Sequence, residues 1–159
     1  TETEEIHYFQ KKIPRNIKLF LFCPSFQTDT NHSRKKLPTN YSVSDVIFNM
    51  ARIGTWMEFL QTKKFKHLLL ALGDKIHTPY RIKNEPVLQS VCEFAKENEI
   101  GYSLSGSGPT ILFYLDKKNA NQKKKILESK LRQISNEYNL SYKFTRIKPD
   151  NKGSQLTFI

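Results

Sequence analysis

Apolar residues recur along this chain at two spacings, one typical of helices and the other of strands. Spacings of three and four predict amphipathic helices at about residues 42–61, 65–72, 86–98 and 119–138. Continuous or alternating apolar runs predict strands at residues 16–23, 102–104, 110–115, 140–147 and 155–159, with a further short strand at 6–9. One or two helical turns are expected at residues 31–36, where Thr30 is a suitable N-cap.

The order of these elements favours one fold class. A strand is followed by several helices, two strands joined by a short loop, one helix and two closing strands. This order predicts an α+β sandwich of two layers, with a mostly antiparallel sheet covered by helices on one face. A chain of 159 residues with 38% hydrophobic residues is long enough for one such domain with its own core.

The connection between the strands at 102–104 and 110–115 is rich in glycine. Two of the six glycines lie in it, within Ser105-Gly-Ser-Gly108, and proline follows. Glycine suits positions where φ is positive or where the backbone approaches another surface, and small serines leave the amides unshielded. Such a loop can face a phosphate, a carboxylate or a second glycine-rich loop, although a plain turn is the simpler interpretation of this stretch alone.

Cysteine content and hydropathy indicate the cellular compartment of the protein. Cys23 and Cys92 are far apart and lie in apolar runs, which is typical of small buried hydrophobic residues rather than of a disulfide framework. The acidic start does not resemble a signal peptide, and no apolar stretch approaches the ~20 residues of a membrane helix. We therefore expect a soluble cytoplasmic protein that has no membrane partner.

The formal net charge of +11 comes mainly from lysines that fall in clusters. In a nucleic-acid-binding protein, such charge would form a stripe interleaved with aromatic residues and arginine. Here the lysines fall at the ends of predicted elements and on polar helix faces, which indicates a solvated surface and no nucleic-acid partner. Electrostatic steering of anionic substrates is a partial contributor to the same charge.

Five stretches of the chain, taken in order, form a recognisable set. They are Pro24 with Thr30-Asn-His-Ser-Arg34 and Leu37-Pro38; Asp45-Val-Ile-Phe-Asn49 with Ala51-Arg52; Asp74-Lys-Ile-His77 with Pro79-Tyr-Arg81; Leu104-Ser-Gly-Ser-Gly-Pro-Thr110; and Asp150-Asn-Lys-Gly153. Together they resemble the homoserine kinases of the GHMP kinase superfamily, and the resemblance covers nearly the whole chain. The glycine-rich stretch alone would indicate only the superfamily.

The resemblance implies an enzyme that moves the γ-phosphate of ATP to the hydroxyl of L-homoserine, giving O-phospho-L-homoserine on the way to threonine. The family has an additional first half with a glycine-rich ATP loop at a helix N-terminus, and nothing here matches that loop. We therefore expect residues 1–159 to be the C-terminal half alone, a ferredoxin-like α+β domain, as the missing initiator Met also suggests. ATP and Mg²⁺ are expected to bind mainly through the absent N-terminal half, and this fragment alone is expected to be inactive. The resemblance further implies a homodimer.

The resemblance also places substrate-binding roles on three residues. A carboxylate is best held by planar guanidinium groups that form two parallel hydrogen bonds. Arg34 and Arg81 occupy the family's substrate positions and are expected to bind the α-carboxylate of homoserine. Thr30 is expected to donate its hydroxyl to the substrate, to cap the following helical turn, or to do both.

The remaining matched residues are expected to support the site. Asp74 and His77 are expected to hold the loop that orients Arg81, in preference to accepting from the substrate ammonium or moving a proton. The third motif of the superfamily, which packs against its phosphate-binding loop, is matched by Ser105, Gly106, Ser107, Gly108 and Thr110. No catalytic base is identified, and the histidines show no metal-ligand spacing.

Two other classes of protein remain open at this point. One is a stand-alone sensor domain that keeps the arginine site without the kinase half, and it predicts binding of homoserine or threonine without ATP. The other is a nucleic-acid-binding module driven by the charge of +11, and it predicts an affinity that falls steeply with salt.

Overall fold

A four-stranded antiparallel sheet forms the centre of the computed structural model, which describes residues 11–26, 36–106 and 108–151. Its strands are β1 (Ile17–Pro24), β2 (Gly101–Leu104), β3 (Ile111–Asp116) and β4 (Tyr142–Ile147), and they lie in the order β2-β3-β1-β4. Each neighbouring pair is antiparallel. With helices in the β1–β2 and β3–β4 connections, this is the βαββαβ arrangement of a ferredoxin-like fold, and it confirms the expected α+β class.

Helices fill both of the long connections. Between β1 and β2 lie α1 (Val43–Thr62), α2 (Phe65–Ala71), α3 (Thr78–Ile82) and α4 (Pro86–Glu97), and α5 (Ala120–Glu137) joins β3 to β4. The four predicted helices are confirmed with small shifts at their ends. The short α3 was not predicted, because five residues are too few to show a helical period. The strands expected at 6–9 and 155–159 lie outside the described residues, as do the turns expected at 31–36 apart from Lys36.

Helices pack against both faces of the sheet, which corrects the expectation that they cover one face. On one face, residues of β1 and β3 form a core with α4 and α5 that includes Phe20, Phe22, Val91, Phe113 and Leu131. On the other face, Leu19 of β1 belongs to a second cluster with Phe59 of α1 and Leu68 of α2. The reason is that β1 and β3 carry apolar residues at successive positions, so both of their sides need cover.

The long helix α1 has well-defined ends. The hydroxyl of Ser42 accepts a hydrogen bond from the backbone N–H of Asp45 (3.1 Å), and Asp45 adds a negative charge to the first turn. At the other end, Lys63 adopts a left-handed φ of 58° and its N–H donates to the carbonyl of Phe59. Local signals therefore explain both where this helix begins and where it ends.

The same helix is apolar on two sides. Trp56 and Phe59 pack on the domain, and their rings meet edge to face with centroids 5.9 Å apart. Five members of the apolar pattern that predicted the helix instead face solvent: Val46, Ile47, Met50, Ile53 and Met57. Val43 at the start of the helix is also exposed, and these six residues expose 38% to 75% of their surface. The periodicity thus located α1, but the face that packs on the domain is the aromatic one.

The structure bears on two expectations, one about the cysteines and one about membrane-spanning helices. Cys23 and Cys92 are free thiols, and Cys92 is buried in the core. Burial, followed by the charge of Glu93, raises the pKa of the Cys92 thiol to about 12, so this thiol is inert. Within the described ranges, no helix is both long and apolar enough to cross a membrane.

Candidate functional site

The loop before α3 is wrapped around the carboxylate of Asp74. One carboxylate oxygen accepts hydrogen bonds from the side-chain amide of Asn49 (2.9 Å) and from the backbone N–H groups of Ile76 (3.0 Å) and His77 (3.1 Å). The other oxygen accepts from the backbone N–H of Thr78 at 2.6 Å. These bonds satisfy amides at the start of α3 that no helical carbonyl reaches, so Asp74 stabilises both the loop and the helix start.

The environment of Asp74 keeps its carboxyl ionised. Half-burial by itself would raise the pKa, but the hydrogen bonds from Asn49, Thr78 and Ile76 outweigh it and lower the pKa from 3.8 to about 2. A carboxylate with so low a pKa is a poor proton acceptor near neutral pH. The geometry is therefore that of a structural acceptor.

Asn49 is a site residue that the reasoning from sequence did not single out. Besides donating to Asp74, its side-chain oxygen accepts from the backbone N–H of Lys75 at 2.9 Å. Asparagine is unfavourable in the middle of a helix, because its side chain competes for backbone hydrogen bonds. That local conflict is the signal that points to this residue, which lies in one of the five matched stretches.

Lys75 adds a second attachment of the loop to α1. Its ammonium lies 3.4 Å from the carboxylate of Asp45 and 4.8 Å from the centre of the Phe48 ring. The guanidinium of Arg52 lies 4.3 Å from the same ring and donates to the carbonyl of Leu70 at 3.0 Å. The first half of α1 therefore serves as the support on which the loop rests.

His77 and Arg81 lie one turn apart at the two ends of α3. The backbone N–H of Arg81 donates to the carbonyl of His77 at 3.2 Å. Arg81 is 8% exposed, and it is the one charged or polar residue of the described ranges that falls among the buried residues. Burial, followed by the charge of Arg81, lowers the pKa of His77 below 6.5, although Asp74 acts in the opposite direction. His77 is therefore expected to be neutral at physiological pH.

Thr30 and Arg34 lie outside the described residues, so the structure does not place these two candidates. The described chain resumes at Lys36, whose ammonium forms an ion pair with Glu85 at 2.6 Å. Both side chains are largely buried, at 15% and 22% exposure. Glu85 immediately precedes α4. The ion pair therefore attaches the chain at Lys36 to the start of α4, close in sequence to α3.

The glycine-rich connection of β2 and β3 is closed by one backbone hydrogen bond, from the N–H of Ser105 to the carbonyl of Thr110 (2.8 Å). Gly106 has a φ of +71°, a conformation that favours glycine, and Ser107 lies outside the described residues. A Cβ added at Gly106 or Gly108 would meet no described atom within 4 Å. Local packing in the described domain therefore does not explain why Gly108 is small.

A cavity of about 490 Å³ lies between the Asp74 loop and β2. Its lining is mainly apolar, with Phe48, Leu72 and Ile100 among its residues, and Arg81 is not one of them. Tyr102 also lines it, and burial, followed by the charges of Cys92, Asp74 and Glu93, raises the pKa of its hydroxyl to about 12. The exposed Lys96 lines the cavity together with the carboxylates of Asp74 and Glu99, so the cavity is a poor site for a further carboxylate.

The part of the chain that the structure describes contains no cluster of metal-ligating side chains. Nowhere in residues 11–26, 36–106 and 108–151 do three or more His, Cys, Asp or Glu side chains gather as metal ligands. Gly106 is exposed and Gly108 is half-buried, and a Cβ at either would enter open space, so this loop suits contact with another surface.

Comparison with known proteins agrees with this geometry. A family model described as "GHMP kinases C terminal" matches residues 56–133, which include α3, α4, the glycine-rich loop and most of α5. A crystal structure of homoserine kinase from Cytophaga hutchinsonii superposes with a TM-score of 0.77 at 20% identity, covering 88% of this chain and 44% of that one. At that identity, the superposition supports the fold alone.

Sequence relatives narrow the class further. The chain is 38% identical over 114 residues to a homoserine kinase from Petrotoga mobilis, covering 71% of this chain and 37% of the relative. It is 37% identical over 118 residues to one from Clostridium kluyveri, covering 72% and 38% respectively. A homoserine kinase from Caldanaerobacter subterraneus is 29% identical over 156 residues, which is 98% of this chain and 49% of the relative.

The chain is therefore similar to the C-terminal domain of the GHMP kinases over residues 56–133. Within that superfamily, its relatives are the homoserine kinases, which confirms the resemblance. The chain spans between about a third and a half of the length of the relatives it matches.

Proposed function

We propose that this chain is the C-terminal part of a homoserine kinase, which transfers the γ-phosphate of ATP to the hydroxyl of L-homoserine. The product is O-phospho-L-homoserine, and the pathway is threonine biosynthesis. The similarity of the chain to homoserine kinases over most of its length supports this assignment. Residues 1–159 form one GHMP kinase C-terminal domain, and the N-terminal, ATP-binding half is supplied by polypeptide outside this sequence.

The observation that carries the proposal is the placement of Arg81. Arg81 is 8% exposed and lies near the end of a short helix, and the other end of that helix is fixed by Asp74. A planar guanidinium held in this way can grip a carboxylate through two hydrogen bonds in a single orientation. Arg81, together with Arg34 and Thr30, binds the amino-acid end of homoserine so that its hydroxyl is directed at the phosphate. The two unplaced residues precede the anchored Lys36 closely in sequence.

Asp74 and His77 act indirectly in this proposal. Asp74 is saturated with donors and ionised, so its role is to hold the N-terminus of α3 and, through that helix, Arg81. His77 begins the helix and is neutral, which avoids a second positive charge next to the guanidinium. Phosphoryl transfer depends mainly on positioning and charge neutralisation, so residues that only orient a substrate contribute strongly to rate.

The glycine-rich loop supports the nucleotide half. Ser105, Gly106, Ser107, Gly108 and Thr110 match the third motif of the superfamily, and the open space at Gly106 and Gly108 suits packing against a second loop. ATP and Mg²⁺ are expected to bind mainly through the N-terminal half, because the glycine-rich ATP loop of the family has no match in this sequence. This chain alone is therefore expected to be inactive.

The cellular compartment and the partners of the protein follow from the same assignment. The enzyme works in the cytoplasm, which the two free thiols support, and its partners are L-homoserine, ATP and the N-terminal half. A homodimer is expected, whereas nucleic acid and membrane are not partners.

A phosphoryl-transfer assay tests the proposal. The chain is purified alone and also co-expressed with a polypeptide that supplies the N-terminal half of a relative, and formation of phosphohomoserine is measured with L-homoserine, L-threonine and L-serine. We expect activity with homoserine in the combined sample only. Activity of the chain alone would contradict the domain assignment. Tight binding of homoserine or threonine to the chain in calorimetry without ATP, with no activity in either sample, would favour a sensor domain instead.

A further inference from the structure

A groove lies at the margin of the sheet formed by β1 and β4, on the face that α4 and α5 cover. α5 packs mainly on β3 and α4 mainly on β2, so this margin of the face stays open. The groove has a volume of about 530 Å³, which is within the range of small-molecule sites. We define this basic groove by six of its lining residues: Lys18, Phe20, Lys117, Lys124, Phe144 and Arg146.

The register of the strands brings two of the cations together. Phe20 of β1 lies directly opposite Arg146 of β4, so the two residues share one face of the sheet. Lys18 lies two residues before Phe20 on the same strand and therefore shares that face, diagonally across from Arg146. Lys117 follows the end of β3, and the second turn of α5 adds Lys124. Four cations from separate parts of the chain thus converge on one concave site.

Neighbouring carboxylates do not neutralise these positive charges. Glu128 is the one carboxylate among the lining residues, and it is already paired with Lys124 at 3.0 Å. Lys18, Lys117 and Arg146 form no ion pair within the described ranges. The charge of Arg146, followed by burial and the charges of two further lysines, lowers the pKa of Lys18, so the cations repel one another. This repulsion destabilises the folded chain, and a bound anion would remove it.

The basic groove also has an apolar lining. Phe20 and Phe144 stack with their ring centroids 5.3 Å apart and their planes inclined at 16°. Phe20 is 5% exposed, and Phe144 is half-buried. An apolar lining excludes water from part of a ligand, and it thereby strengthens the attraction between the charge of the ligand and the surrounding cations. This combination distinguishes the groove from solvated lysines such as Lys125, which is exposed on the same helix as Lys124.

We propose that the basic groove binds a small molecule that carries a diphosphate group, either inorganic diphosphate or the diphosphate of a nucleotide. The four cations and one carboxylate of the lining leave an excess of three positive charges. Two phosphate groups carry roughly three to four negative charges near neutral pH, which matches that excess. The planar guanidinium of Arg146 binds two phosphate oxygens at once, while Lys18 and Lys124 add point charges from β1 and α5.

The basic groove is separate from the proposed substrate site. The Asp74 loop and its cavity adjoin β2, and β2 and β4 are the two opposite edge strands of the sheet. The glycine-rich loop precedes Ile111 at one end of β3, whereas Lys117 follows the other end, about 20 Å away. The inference therefore does not depend on the kinase reaction. A nucleic-acid strand fits the groove less well, because the cations form no stripe and the buried Phe20 offers no open face to a base.

Isothermal titration calorimetry of the purified chain in phosphate-free buffer tests the proposal, with inorganic diphosphate and ADP as the two probes. We expect saturable binding of ADP at one site per chain. Equal affinity for inorganic diphosphate would identify the diphosphate group alone as the ligand, and weaker affinity would identify a nucleotide. Arg146→Gln should weaken binding by about tenfold or more, as for the loss of a charged hydrogen bond. The matched control is Lys125→Gln, which removes an exposed charge of α5 outside the groove and should leave the affinity unchanged.

Lys18→Gln separates loss of the ligand from loss of the fold. Because this change removes one of the mutually repelling charges, the urea unfolding midpoint of the ligand-free chain should hold or rise. The affinity for ADP should nevertheless fall by about tenfold or more. Absence of binding by both probes, or equal binding by wild type, Arg146→Gln and Lys18→Gln, would overturn the proposal. So would a single-stranded RNA that binds the chain more tightly than either probe.

Discussion

The side-chain amide of Asn49 donates a hydrogen bond to the carboxylate of Asp74 over 2.9 Å and so joins the middle of α1 to the loop before α3. The same side chain accepts from the backbone N–H of Lys75, which makes the connection a two-point attachment. Three backbone amides complete the shell around Asp74. The position of Arg81 therefore depends on a residue that lies on a different helix and far from it in sequence.

We expect Asn49→Ala to lower the free energy of unfolding by about 1–3 kcal/mol, because a partly buried carboxylate and a backbone amide both lose a partner. In the complete enzyme, the same change should raise the KM for homoserine more than the KM for ATP. Urea denaturation and steady-state kinetics measure the two effects. Gln61→Ala, at an exposed position on the same helix, is the control and should change neither. An unchanged unfolding midpoint in Asn49→Ala would contradict the assigned support role.

The ionisation of Asp74 predicts how stability depends on pH. The pKa of the folded state, about 2, lies below the ordinary 3.8, so the unfolded chain binds more protons between these values. The stability contributed by Asp74 is thus present above about pH 4 and is lost as the pH falls towards 2. For this half-buried group, we expect a contribution of about 1–2 kcal/mol after allowing for solvent screening. Urea unfolding of wild type and Asp74→Asn from pH 2 to pH 5 should show a difference that grows with pH. A difference that is constant across this range would rule out the proposed ionisation.

Arg81 should act on the substrate that carries a carboxylate. In the complete enzyme, Arg81→Ala should raise the KM for homoserine by about tenfold or more, as expected for a lost charged hydrogen bond. Arg81→Lys keeps the charge but loses the planar two-bond geometry, and it should recover only part of the affinity. The exposed Arg132 on α5 supplies the control, since Arg132→Ala should behave as wild type. An effect restricted to the KM for ATP would refute the substrate assignment.

Replacing the two glycines of the β2–β3 loop by alanine should affect folding differently at the two positions but should affect activity in the same way. Gly106→Ala should destabilise the domain by about 1 kcal/mol, because alanine is strained at a φ of +71°. Gly108→Ala should be close to neutral for folding, because its Cβ would enter open space. Both changes should lower kcat in the complete enzyme if this loop packs against the nucleotide half. Wild-type kcat in both variants would indicate that the loop is only a turn.

The sequence predicted the sheet and the long helices well, because their apolar periods are long enough to be distinctive. It did not predict α3, whose five residues are held by the Asp74 shell rather than by their own propensity. It also did not predict which apolar side of α1 packs on the domain. Periodicity locates an apolar side but does not identify the buried one when a helix has two, as α1 does with Phe59 and Met50 on different sides.

The candidate site was only partly accessible to the same reasoning. Asp74, His77 and Arg81 could be named because their stretch is one of the five that resemble the homoserine kinases. The hydrogen bond from Asn49 could not be derived, since it joins residues that are brought together by the packing of α1 against the loop. The roles of Thr30 and Arg34 remain predictions, as do those of the glycine-rich loop.

The strand order has a consequence for how this domain folds. β1 lies in the interior of the sheet, but Ile17 pairs with Asp116 and Leu19 pairs with Ile147, on the order of 100 residues further along the chain. Among the described strands, only β2 and β3 are neighbours in sequence and can form a hairpin early. During synthesis, the apolar β1 therefore finds no partner among the described strands until most of the domain has been made. We expect high contact order and slow folding, with the burial of β1 as a late step.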